Sequence, residues 1–192
     1  YKEILEGIKM KFIQSVINKA LELGAQKCGS VEVEHITFDP GLRKNCEMNY
    51  CGSYGKNYMC PPDAGEIHEL IQQAKGYEHL ILFQTISPLE DSFDIEGMQE
   101  AAERHANLVD KLSDYLVALP GTPRYLILGA GGCHLCQPCG KVTGDPCRHP
   151  DRAHASLETY GIFVAKLAEQ CGMQYINGQN TVTYFGAVLF SE

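Results

Sequence analysis

The stretch RYLILGAGGCHLCQPCGKVTGDPC, residues 124–147, contains a short apolar run followed directly by four cysteines. Its first part, residues 124–130, predicts a β-strand, because a short apolar run ended by glycines is typical of a strand. The cysteines then follow the carboxyl end of that strand, which is where open α/β sheets bind their ligands. The stretch therefore predicts a sheet and a metal centre at its edge.

Helical and strand patterns alternate on both sides of this strand. The alternation indicates an α/β fold in which the sheet is largely parallel. We predict a single α/β domain over residues 1–192, with about four mostly parallel strands alternating with helices. The other predicted strands are 30–38, 79–83 and 181–190, and the predicted helices are 1–23, 63–75, 98–119 and 157–171.

A second cysteine group follows the predicted strand 30–38. It consists of Cys46, Cys51 and Cys60, with the spacing C-x4-C-x8-C. Because the carboxyl ends of parallel strands meet at one edge of a sheet, we expect the cysteine loops at about 42–63 and 130–152 to lie together at the carboxyl edge. An antiparallel arrangement of the two strands would be expected to separate them.

The later cysteine group carries the more specific pattern. Its run C-x2-C-x2-C is typical of ferredoxins, where short loops let successive thiolates reach different irons of one cluster. Zinc ribbons usually have two C-x2-C pairs far apart, so zinc is the alternative. The GAGGC turn, residues 129–133, lacks the third glycine of a dinucleotide-binding motif, since His134 stands there. The candidate ligands of this group are Cys133, Cys136, Cys139 and Cys147. Ferredoxin-type triplets often take their fourth thiolate from elsewhere in the chain, so Cys147 either completes this cluster or serves a neighbouring one.

The spacing of the first group fits no single metal template, so the argument that this group binds metal depends on the residues around it. Cys60 precedes two prolines at the predicted start of a helix, whose partial positive charge would stabilise a thiolate. The alternative is a proline-rich turn with buried thiols. Side chains that could donate hydrogen bonds to inorganic sulfide are Tyr54, Lys56 and Asn57.

The number of thiols bears on the kind of centre. Cys28 lies in a predicted turn and Cys171 on an apolar helix face, so we interpret both as structural. Seven candidate ligands remain of the nine cysteines, whereas two 4Fe-4S cubes with cysteine on every iron need about eight. We therefore predict two 4Fe-4S-type clusters, one of them with an iron that is held by a non-cysteine ligand or left open.

Composition narrows the location and the partners. The odd number of cysteines and the length of 192 residues disfavour a disulfide scaffold. A formal charge of -8 without a basic cluster excludes nucleic acid as an expected partner. No apolar run approaches the ~20 residues of a membrane span, and no export signal is recognised at the N-terminus. We expect a cytoplasmic protein whose partner is a redox protein, a small-molecule substrate or a second copy of the chain in a homodimer.

The chain contains the motifs YGKNYMCPP, CHLCQPC, CRHPD and SLETYGI. Together these motifs resemble those of a prokaryotic family of predicted metal-binding proteins of unknown function. The resemblance covers the chain from about Cys46 to Gly161, and it implies a metal site, commonly supposed to be iron-sulfur, in proteins of mostly anaerobic microbes. The leading hypothesis is electron transfer to a redox partner. The alternatives are an enzyme with an open cluster iron for Lewis-acid or sulfur-transfer chemistry, and a zinc-stabilised interaction module. The resemblance carries over to Cys46, Cys51, Cys60, Cys133, Cys136, Cys139 and Cys147.

Overall fold

One four-stranded sheet with helices on both faces forms the centre of the protein. The computed structural model describes residues 2–191, with side chains from residue 6 onward. None of the helices in this part of the chain is both long enough and apolar enough to cross a bilayer. The strands are β1 (Lys27–Glu32), β2 (His79–Pro88), β3 (Arg124–Leu128) and β4 (Thr181–Ser191). The helices are α1 (Lys2–Glu22), α2 (Arg43–Glu47), α3 (Ile67–Lys75), α4 (Ile95–Ala118), α5 (Gly140–Thr143) and α6 (Val164–Gln170).

The sheet is antiparallel throughout, so the prediction of mostly parallel strands is wrong. The strand order is β1-β2-β4-β3, and each neighbouring pair runs in opposite directions. Strands β2 and β3, which α4 connects, do point the same way, but β4 lies between them. Alternation of helices and strands along the chain is equally compatible with this arrangement, because the pattern does not reveal which strands become neighbours.

The two central strands carry the core. Their side chains alternate between the faces of the sheet, and α1 and α4 cover one face while α3 and α6 cover the other. Phe83 of β2 lies fully buried across β4, where a Cβ atom on Gly186 would come within 2.4 Å of its ring. Position 186 therefore needs glycine, and β2 and β4 form the best-packed part of the molecule.

The two cysteine loops do meet, but the prediction that they meet at a shared carboxyl edge of the sheet is wrong. Strands β1 and β3 lie at opposite edges of the sheet and run in opposite directions, so their carboxyl ends point apart. The segment 156–162 brings the loops together by another route. It forms one isolated bridge from Ile162 to Phe38, after β1, and another from Ser156 to Gly129, after β3.

Two predicted elements are interrupted in the structure. Strand β1 runs from Lys27 to Glu32, and a 3-10 turn, Val33–His35, interrupts the predicted strand 30–38. The predicted helix 157–171 is divided into a 3-10 turn, Glu158–Tyr160, and α6. Gly161 separates the two with a φ of 69°, a conformation that interrupts a right-handed helix and that glycine adopts readily.

Candidate metal centre

The two cysteine loops contact each other at their bases. Asn57, which is only 7% exposed, donates a hydrogen bond from Nδ2 to the carbonyl oxygen of Cys133 at 2.8 Å. A Cβ atom on Gly132 would lie 3.4 Å from Sγ of Cys60. The glycine-rich turn after β3 thus allows the backbone to approach the first loop closely, and a side chain there would crowd the thiol.

A second set of contacts joins the loops further out. The hydroxyl of Tyr58 donates to the carbonyl oxygen of Asp145 at 2.8 Å. Lys141 and Asp63 form an ion pair, and the hydrogen bond from Lys141 to this carboxylate raises the pKa of the lysine. The two loops therefore form one site even though they are far apart in sequence.

The thiols of the later group surround a single cavity. The cavity has about 310 Å³ of empty space including its open mouth. Asn57 and Met59 of the first loop close one side of it, and His149 lines another part. The structure thus brings together all four sequence-predicted ligands of this group, which are Cys133, Cys136, Cys139 and Cys147.

A tight turn returns the chain to this cavity. Helix α5 begins directly after Cys139, and the backbone N–H of Asp145 donates to the carbonyl oxygen of Gly140 at 2.8 Å. A Cβ atom on Gly140 would lie 2.8 Å from the carbonyl oxygen of Pro146. Because glycine permits this close approach, the chain can place Cys147 beside the same cavity as Cys139.

The environment of Cys60 differs from the predicted one. Helix α3 begins at Ile67 rather than near Asp63, so Cys60 lies outside the helix and receives no stabilisation from its first turn. The residue instead forms a turn, in which its N–H donates to the carbonyl oxygen of Asn57 at 3.0 Å. Burial raises the pKa of the Cys60 thiol to about 12. The expectation of a thiolate favoured by a helix dipole is wrong.

The thiols of both loops influence one another. Burial is the main cause that raises the pKa of Cys46, Cys60 and Cys133, and neighbouring cysteines add to it. At Cys46 the positive charge of Arg43 acts in the opposite direction. Thiolates rather than thiols bind metals, so metal binding at these positions must release protons.

Glu158 is a neighbour of the first group that sequence reasoning missed. It lines one cleft together with Cys46, Cys51 and Ser156, and the cleft has about 950 Å³ of empty space including its open mouth. Burial raises the pKa of Glu158, while hydrogen bonding to its own backbone and to Ser156 acts the other way. An acidic residue among buried neighbours in SLETYGI was the signal that could have revealed it.

A polar pair beside the second group, His134 and Asp110, was also missed. Nε2 of His134 lies 2.9 Å from Oδ2 of Asp110, a residue of α4. Arg152 and the half-buried His154 line the same small hollow as this pair. The contact with Asp110 holds the side chain of His134, the residue after Cys133, against α4.

The remaining two cysteines lie in the packed core layers. Cys28 is part of β1, and Cys171 follows α6. A Cβ atom on Gly29 would meet the Cβ of Cys171 at 2.9 Å, so the two elements are in close contact. Burial raises the pKa of both thiols to about 11. These positions agree with a structural role.

One comparison with known proteins places the chain in a family. A family described as "predicted metal-binding protein" (DUF2284) matches residues 29–190, which include both cysteine groups. The chain belongs to this family. The resemblance drawn from the cysteine motifs is therefore confirmed, and metal binding is the shared property that the family description gives. No curated protein and no solved structure matches the chain.

The donor set fits a metal group bound by sulfur. Four thiols line one cavity, and two further thiols line the adjacent cleft with a carboxylate. Cys60 lies at the contact between the loops, close enough for the charges of Cys46, Cys51, Cys133 and Cys139 to raise its pKa. Among residues 6–191, whose side chains the structure describes, no three His, Cys, Asp or Glu side chains lie close enough together to hold a single metal ion.

Proposed function

We propose that the protein binds two 4Fe-4S-type clusters and transfers electrons to a redox partner. The observation that carries the proposal is the cavity surrounded by the thiols of the C-x2-C-x2-C run and Cys147. Four cysteines are the usual ligands of a 4Fe-4S cluster, and the triplet spacing is typical of ferredoxins. Such clusters, when bound, supply one-electron transfer.

The residues of the chain would divide between two centres. The later group would hold one cluster, and Cys46, Cys51 and Cys60 would hold the other. Cys60 supports an arrangement with adjacent centres, because its thiol is close to both groups. Adjacent centres suit electron transfer, since one can pass an electron to the other without a moving carrier.

Zinc is less well supported by the same geometry. A structural zinc ion draws its four ligands to within ~2.3 Å of one point. In the part of the chain whose side chains are described, no three His, Cys, Asp or Glu side chains lie close enough together to hold a single ion. The observed spacing of the thiols therefore favours a group of several irons over a single ion.

Metal and sulfide analysis of protein purified without oxygen tests the proposal. We expect a brown protein with about eight irons and eight acid-labile sulfides per chain. Cys136→Ser should lose about four irons, because it removes a ligand of one cluster only. Cys28→Ala is the matched control and should retain all of them. A colourless protein that contains zinc alone would overturn the proposal.

The cleft beside Cys46 and Cys51 favours a second candidate function. The cleft has about 950 Å³ of empty space including its open mouth. Thr183 and Tyr184, whose side chains carry hydroxyl groups, also line it. An enzyme that binds a small molecule at the first centre would need such an opening. Small thiols or anions should then change the visible spectrum of the reduced holoprotein, and an unchanged spectrum would remove the basis for this candidate.

A further inference from the structure

We propose that the carboxylate of Glu158 is the non-cysteine ligand of the centre held by Cys46, Cys51 and Cys60. The proposal rests on the two-cluster function above and supplies the ligand that the seven candidate thiols lack. Its basis is a juxtaposition in the fold: Glu158 lines the same cleft as Cys46 and Cys51.

Three separate segments build this juxtaposition. Cys46 lies on α2, and Cys51 lies in the turn that follows it. Helix α2 packs against the 3-10 turn that carries Glu158. The position of that turn is fixed by the bridge between Ser156 and Gly129 at the end of β3. The carboxylate is therefore placed by the sheet, and the two thiols are brought to it by the first loop.

The cleft gathers three groups that can carry negative charge. Cys46, Cys51 and Glu158 all line it, and α2, which carries Cys46, packs against the 3-10 turn of Glu158. Gathering potential anions in a partly desolvated place is costly unless a cation compensates for it. An iron-sulfur cluster bound there would offer a separate iron to each of the three groups and would compensate for their charges.

Glu158 is also the best-placed alternative to a cysteine at this centre. Among the described residues that line the cleft, it is the one carboxylate. The histidines of the region face elsewhere, since His134 pairs with Asp110 and His149 lines the cavity of the later group. Carboxylate oxygen is a hard ligand and thiolate sulfur a soft one. The centre should therefore differ from its neighbour in potential and in the ease of losing one iron.

Substitutions of Glu158 in the anaerobically purified holoprotein test the inference. Glu158→Ala should lower the iron content by about one per chain or more, and should change the electron paramagnetic resonance signal of one cluster while the other stays the same. Glu158→Gln keeps the size of the side chain and should give the same change without a loss of folding. Glu158→Cys should restore the iron and lower the reduction potential of that cluster, because it supplies an eighth thiolate.

Glu47→Gln is the matched control. Glu47 is exposed and its charge also raises the pKa of Cys46, but it does not line the cleft. We expect it to retain the iron content and the resonance signals of the wild type. If Glu158→Ala and Glu158→Gln behave like this control in a protein with about eight irons, the inference is wrong and the proposed function stands. Wild-type protein without iron and sulfide would overturn both.

Discussion

The sheet and the cysteine loops are stabilised in different ways. Strands β2 and β4 pair over ten residues, and nearly all side chains of β2 are buried. The loops at 42–63 and 130–152 contain only the short helices α2 and α5, and most of their residues are exposed or half-buried. Apolar burial therefore stabilises the sheet, whereas the loops depend on a few polar contacts.

This contrast predicts two separable properties. The free energy of global unfolding should change mainly with substitutions in the sheet. Local opening of the loops should change mainly with substitutions at the contacts between the loops. Amide hydrogen exchange distinguishes the two, because it reports opening residue by residue. A metal centre bound by both loops would add to their stability without changing the packing of the sheet.

The largest effect is expected for Phe83→Ala in β2. The ring is fully buried against Gly186 and would leave a cavity, so unfolding should require about 3–5 kcal/mol less. Phe93→Ala is the matched control, since Phe93 is 86% exposed, and surface substitutions usually change stability by less than about 0.5 kcal/mol. Denaturant unfolding measures both. Equal effects of the two variants would contradict the assignment of stability to the sheet.

The next largest effect is a dependence on pH through His105. This histidine of α4 is buried beside Phe83, and burial lowers its pKa from 6.5 to about 4. Between these values the unfolded chain binds a proton that the folded protein does not. Stability should therefore fall as the pH drops from about 6.5 to about 4, by on the order of 3 kcal/mol.

His105→Gln should remove this part of the pH dependence. The variant keeps a polar side chain near Thr85, whose hydroxyl lies 2.9 Å from Nδ1 of the histidine, but it does not titrate. His35→Gln on the exposed surface is the control and should keep the wild-type profile. Unfolding free energies measured from pH 4 to pH 7 test the difference. Parallel profiles for wild type and His105→Gln would show that the buried histidine is not the cause.

The positions of the strands along the chain were easier to predict from the sequence than the pairing of the strands in the sheet. The run HLILF is apolar throughout because β2 is covered on both faces, and the sequence reveals that directly. The insertion of β4 between β2 and β3 depends on pairing between distant segments, for example Phe83 with Gly186. The residues within either segment do not indicate which strand it will pair with. The sequence pattern therefore predicts a parallel sheet where the structure has an antiparallel one.

The candidate site shows the same limit. Cys133 to Cys147 could be grouped from the sequence because all four thiols lie in one short loop with a specific spacing. The approach of Gly132 to Cys60 and of Glu158 to Cys46 comes from tertiary packing. The position of Glu158 was also hard to predict because its segment is predicted as part of a helix, whereas in the structure Gly161 ends a short 3-10 turn there.

A smaller effect is expected for Asn57→Ala between the loops. The variant removes two hydrogen bonds of the buried Asn57 side chain, one to the carbonyl oxygen of Cys133 and one from the N–H of Met59, at a cost of about 1–3 kcal/mol. We expect faster hydrogen exchange of amides in both loops, with little change in β2 and β4. Asn107→Ala on the exposed side of α4 is the control. Faster exchange in the sheet as well would mean that loops and sheet open together.

The smallest effect is expected for Tyr58→Phe. The hydroxyl of Tyr58 donates to the carbonyl oxygen of Asp145 at 2.8 Å in an exposed position. Water can replace this donor after substitution, so the loss should be only about 0.5–1 kcal/mol. Tyr50→Phe on the same loop is the control, since Tyr50 is 87% exposed. Hydrogen exchange should become faster near Asp145 in Tyr58→Phe alone. An effect as large as that of Asn57→Ala would show that the outer contact, rather than the buried one, holds the two loops together.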